Sequence, residues 1–189
     1  EAPEPVLGAR AIVDDRFVKV VSLPDKTGLR SAVLAALFEG RRADLLRRIE
    51  PAGYDELMED VVRCILEQDL GSKAPPMRSI EHVAARCGTN RSTLWRVRQR
   101  HDLDLRRFIF VWVVALALRH RFIDGGNKRV PWLVVARRCG YSERPGLTDL
   151  LQRELGHGLR AAKLHDLWRV LDRLDSMLVG VERDDVTVV

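Results

Sequence analysis

The sequence predicts a mainly α-helical fold: two helix-turn-helix subdomains joined by a long central helix, preceded by a small α/β segment. Three observations carry this. The stretch VAARCG (83–88) returns 52 positions later as VARRCG (135–140), and each copy runs on into a polar residue and a leucine-bearing amphipathic segment. Between the copies stands FIFVWVVALAL (108–118), apolar all round as a buried helix would be. Ahead of residue 71 the pattern mixes strand-like and helix-like periods.

In that front third, VDDRFVKVVSL (13–23) has the β-branched and aromatic richness of a strand, and PDKTG breaks it. LRSAVLAALFEG (29–40) reads as a helix closed by glycine, ADLLRRI (43–49) as a short strand, and YDELMEDVVRCILEQDL (54–70) as an amphipathic helix. Strand, helix, strand, helix is the grammar of an open α/β sheet. The order resembles the back half of a response-regulator receiver domain, although the second strand ends in RRIEP where that family has Lys-Pro, and the front half with its phosphoacceptor is missing. Asp14 and Asp15, beside the first strand, are the residues an acidic pocket would use. GSKAPP (71–76) is the linker, because two prolines and a glycine continue neither helix nor sheet.

Downstream every signal is helical. Ser79 caps IEHVAARC, Asn90 opens a helix to about Arg100, and a long helix spans 106–123 until DGGN stops it. Pro131 suits the first turn of the next helix and Gly140 ends it; Ser142 or Glu143 opens its partner, and a last helix runs over 161–178. The domains expected are 1–70, a linker at 71–76, the paired helical units at 77–163, and a C-terminal helix and tail at 164–189.

Each repeat places apolar residues at i, i+3 and i+4: Ile80, Val83 and Ala84, then Trp132, Val135 and Ala136. A glycine, free to adopt positive φ, ends the helix, and a second begins within three residues. That spacing suits a helix-turn-helix, whose second helix can enter a DNA major groove; an ordinary helical hairpin is the plainer alternative. In the first copy Leu94 and Val97 point inward, leaving Arg91, Ser92, Trp95, Arg96 and Gln99 outside. Arg96 can pair with guanine, Gln99 with adenine, and Arg91 with a phosphate. In the second copy the stripe is Arg144, Pro145, Thr148 and Gln152, but Glu143, Asp149 and Glu154 add charge of the wrong sign, so this half is the weaker reader.

Charge agrees. Residues 77–129 hold twelve Lys and Arg against four Asp and Glu, whereas the segments on either side are acidic or neutral. An excess confined to one block is the footprint expected for phosphates.

These residues resemble the DNA-binding domain of AraC-type transcriptional regulators, over about 77–163. The most specific part is the second copy, where Val135, Ala136, Gly140, Tyr141, Leu147, Leu151 and Gly156 match the family pattern. The resemblance implies DNA contacts from Ser92, Trp95 and Arg96 and from Arg144, Pro145 and Thr148, with double-stranded DNA and RNA polymerase as partners. Departures are Leu159 and Ala162 where the family has proline and an aromatic, Asp149 where a basic residue is usual, and a central helix without the customary arginines. Such an apolar helix is expected to bury itself against the front segment or a second subunit. Leu164, Leu167, Leu171, Leu174 and Leu178 form a two-heptad seam that leaves a homodimer through the last helix open as well.

Other classes find little support. Cys64, Cys87 and Cys139 form no CxxC pair, the five histidines have no metal-ligand spacing, and no nucleophile elbow, phosphate loop or dinucleotide fingerprint occurs. No enzyme, cofactor or metal is therefore expected, and a reducing cytosol fits the thiols. The longest apolar run falls short of the roughly 20 residues a membrane span needs. Two alternatives to a regulator remain: a protein-interaction module that has lost DNA binding, and a fragment of a DNA-processing enzyme such as a transposase or recombinase.

Overall fold

The structure, a computed structural model, describes residues 28–70, 76–126 and 128–179, together with the backbone of 12–14 and 17–19. It is mainly helical. Ile12–Asp14 and Phe17–Lys19 pair antiparallel in the register Ile12 to Lys19, Val13 to Val18 and Asp14 to Phe17. One expected strand is thus two short ones with the polar residues 15 and 16 between them; its continuation to residue 23, and the side chains of Asp14 and Asp15, lie outside the described residues. So do 71–75 of the linker and the tail from 180.

Helix α1 (Leu29–Arg47) overturns the second expected strand. ADLLRR is rich in good helix formers, and Leu34, Phe38, Leu45 and Ile49 fall on one helical stripe, all buried. Gly40, read as a stop, sits exposed inside the helix with nothing within 4 Å of its Cα hydrogen position. An interior glycine costs about 1 kcal/mol relative to alanine, which the anchoring of the stripe on both sides of it offsets. With the strand gone, the strand-helix-strand-helix order that prompted the receiver likeness is gone too.

After a 3-10 turn at Glu50–Ala52 comes α2 (Glu56–Leu66), opened by Asp55, whose carboxylate accepts from the Met58 amide at 2.9 Å. There follow α3 (Ile80–Arg86), α4 (Arg91–Arg98) and the central α5 (Leu105–Arg119), which widens into a π-helical turn at His120–Asp124. Then come α6 (Trp132–Arg138), α7 (Arg144–Leu155) and α8 (Leu164–Val179). Helix α8 starts three residues later than expected. The Asp166 carboxylate reaches back to the Lys163 amide at 2.7 Å, which makes Lys163 the last residue before the helix.

Helix α5 is the axis of the core: α2, α7 and α8 pack on it, and α1 meets it through Phe38. Trp112 is fully buried and stacks on Phe38 of α1, ring centroids 5.9 Å apart. Each such aromatic contributes about 1.5–3 kcal/mol by leaving water. The front helices therefore share one core with the rest and supply the partner that α5 was expected to need. The apolar face of α8 is spent in the same way: Leu167, Leu171, Leu174 and Leu178 are all buried within the chain. Among the described residues no helix is long and apolar enough to cross a membrane, and no group of His, Cys, Asp and Glu is arranged to hold a metal ion.

Candidate nucleic-acid interface

The duplicated stretches fold into the same turn. In the first, Cys87 ends α3, Gly88 takes φ +63°, the Gly88 amide bonds the Ala85 carbonyl at 3.4 Å and the Thr89 amide the Ala84 carbonyl at 2.9 Å. In the second, Cys139 ends α6, Gly140 takes φ +78°, and Gly140 and Tyr141 bond Arg137 and Ala136, both at 2.9 Å. This is the Schellman arrangement, in which a left-handed residue lets two amides close back on the last turn. Only glycine adopts that φ without steric cost, which is why both copies keep one.

The helices that follow differ. Asn90 caps α4, its side-chain oxygen accepting from the Thr93 amide at 2.8 Å. Glu143 stands before α7 with no such bond, and Pro145 occupies the first turn instead. Gly146, which costs helix stability in isolation, has a specific reason to be there: a Cβ on it would lie 2.6 Å from the Tyr141 ring. That ring is half-buried, which pushes the phenol above its ordinary pKa, and it lies under the Arg78 guanidinium at 4.6 Å. Arg78 precedes α3, so this contact ties the first helix pair to the second. A bond from Arg138 to the Leu70 carbonyl, 3.2 Å, ties α6 to the end of the front segment.

On α4, Leu94 and Val97 are buried, and Arg91, Ser92, Trp95, Arg96 and Gln99 are all exposed. Trp95 is 55% exposed, unusual for an indole, and no ring among the described residues stacks on it. The five residues expected to face outward do so together. Their charges are not equally free. Arg91 pairs with Glu81 of α3 at 2.9 Å, and Glu81 is held below the usual carboxylate range by its own amide and the Ser79 hydroxyl, with Arg91 adding to the effect. Arg96 bonds only the Ser92 carbonyl of its own helix, at 3.5 Å, and no carboxylate among the described residues pairs with it.

The flank is more neutral than a count of arginines suggests. Arg98 pairs with Asp104 at 3.3 Å and Arg100 with Asp55 at 3.8 Å. Arg106 and Arg153 both lie over the Phe110 ring, at 5.6 and 4.7 Å.

On α7, Arg144 and Pro145 are exposed, but Thr148 is half-buried and its hydroxyl donates to the Arg144 carbonyl at 3.0 Å. Its hydrogen-bonding capacity is largely used within the helix. Asp149 beside it is exposed and acidic. Sequence reasoning missed Glu81 as the acid that closes on Arg91. The signal was weak, because the two residues are ten apart and meet only when the turn folds.

Comparison of the chain with protein-family models, curated proteins and solved structures finds no match.

Proposed function

We propose that the chain is a sequence-specific DNA-binding regulator of AraC-like type, two helix-turn-helix units on one core, which reads the major groove mainly through α4. The observation that carries this is the exposed stripe of Ser92, Trp95, Arg96 and Gln99 on a helix capped at Asn90 and anchored from below by Leu94 and Val97. Eight helical residues span about 12 Å, the width of a major groove. Arg96, free of carboxylates, is the base reader; Trp95 packs on sugar or a thymine methyl. Affinity comes chiefly from arginine and phosphate, so it falls steeply with salt. Helix α7 contributes Arg144 to the backbone and little base reading, given Asp149 and the occupied Thr148 hydroxyl.

Selecting bound sites from a random DNA library and then titrating Arg96→Ala tests the reading. The expected loss is about 1–3 kcal/mol on the selected site, with specificity relaxed at one base pair. An equal loss on random and selected duplexes removes the base-reading role. The exposed Trp95 also suits a second reading, a protein-interaction module, since an aromatic anchor is what such a surface presents. In that case the wild-type chain gives no salt-sensitive shift with any duplex.

A further inference from the structure

A cavity of about 600 Å³ opens where the first turn of α1, the π-helical turn with the loop after it, and the approach to α8 meet. Arg30, Arg129, Arg160 and Lys163 line it, with Ser31 and His165, and among the described residues no Asp or Glu does. Among the described residues none of these four cations forms an ion pair, and the Arg30 Nε is buried without an acceptor. Arg129 rests on the Phe122 ring at 5.6 Å, and its charge adds to the burial that depresses the neighbouring Arg121. Asp166, in the first turn of α8, is 1% exposed: one of its oxygens accepts from the Lys163 amide at 2.7 Å, and the His157 and His165 rings lie 3.4 and 3.3 Å from the other. Four like charges around one hollow repel each other and set up a positive potential there, which an entering anion relieves.

We infer that this cavity is a binding site for a small polyanion carrying two or more phosphoryl groups. The volume falls in the range of small-molecule pockets, roughly 300–1,000 Å³. Three arginines offer the planar forks that match phosphate oxygens two at a time. The first turns of α1 and α8, with their positive dipole ends, both border the hollow. A duplex backbone has the same phosphates, but none of the lining residues belongs to α3, α4, α6 or α7, and a concave hollow suits a compact molecule better than a rod. The site is independent of the proposed duplex face.

The test is calorimetric titration of the full chain with inorganic pyrophosphate, repeated on Arg160→Glu and Lys163→Glu. Both side chains are exposed and make no ion pair among the described residues, so folding is expected to survive, which circular dichroism checks. Wild type binds pyrophosphate more tightly than orthophosphate, and each variant weakens it by about tenfold or more, a difference near 1.4 kcal/mol. Duplex affinity in low salt stays within about twofold of wild type. Three results overturn the inference: no heat with pyrophosphate at millimolar concentration, pyrophosphate binding that survives in both variants or disappears with Arg96→Ala instead, or parallel loss of duplex and pyrophosphate, which assigns the cavity to the nucleic-acid surface.

Discussion

Arg91 Nη1 lies 2.9 Å from Glu81 Oε1, so the first cation of the exposed α4 stripe is already engaged by a carboxylate of the helix before it. Both side chains are exposed, and a pair of this kind contributes little to folding. Its consequence is for binding: a phosphate must displace Glu81 to reach Arg91. Glu81→Gln is expected to leave thermal stability nearly unchanged and to tighten duplex binding about two- to fivefold in low salt, steepening the salt dependence by close to one counterion. Fluorescence anisotropy over a sodium chloride series measures both. An unchanged slope means that Arg91 stays off the duplex.

Gly146 gives a prediction whose sign is informative. In an exposed helix, glycine to alanine is worth about 1 kcal/mol of added stability. Here the new Cβ would sit 2.6 Å from the Tyr141 ring, which the Arg78 guanidinium covers from another side. Overpacking costs about 1–3 kcal/mol, so Gly146→Ala should lower the unfolding midpoint. Adding Tyr141→Leu should recover much of the loss. If the single variant is stabilised, the ring moves aside freely and the bridge between the two helix pairs is loose.

The parts legible in the sequence were the local ones. The glycine turns, the Ser79 and Asn90 caps and the outward stripe of α4 each depend on residues within about four positions, and their geometry follows from that spacing. The front segment was misread because ADLLRR has no local mark that separates helix from strand. What decides it is Phe38, stacked on Trp112 seventy-four positions away, which carries α1 through Gly40. Distance hid the charges as well. Asp55 meets Arg100, and the four cations of the cavity are drawn from positions 30 to 163. A block count of arginines cannot reveal that some are neutralised and others collected elsewhere.

The thiols should be slow to react in the folded chain. Burial, with Cys64 beside it, pushes Cys87 up to about 12, and burial alone does the same to Cys139. The thiolate is the nucleophile, so near pH 8 each reacts about a thousandfold more slowly than an unperturbed thiol. Timed iodoacetamide labelling read by peptide mass spectrometry should find both modified only as fast as the chain unfolds. Rapid native labelling of Cys87 would mean that α2 and α3 part readily.

Acid should act on two aspartates with opposite signs. Burial raises the Asp124 carboxyl, but the hydrogen bond from His120 and the Arg119 charge prevail and hold it below the ordinary value of 3.8. A depressed acid contributes stability that is present above its unfolded pKa and is lost as pH falls through the folded one. Asp172 is raised instead, because burial outweighs its pair with Arg41. Ionising it in the folded state is unfavourable, and that penalty is relieved as pH falls through its raised pKa. Urea midpoints from pH 6 to about pH 2.5 should therefore fall less steeply below pH 4 in Asp124→Asn than in wild type. In Asp172→Asn they should fall more steeply, since the relief that wild type gains on protonation is absent. Parallel curves for all three proteins would mean that neither carboxyl changes its proton affinity when the chain folds.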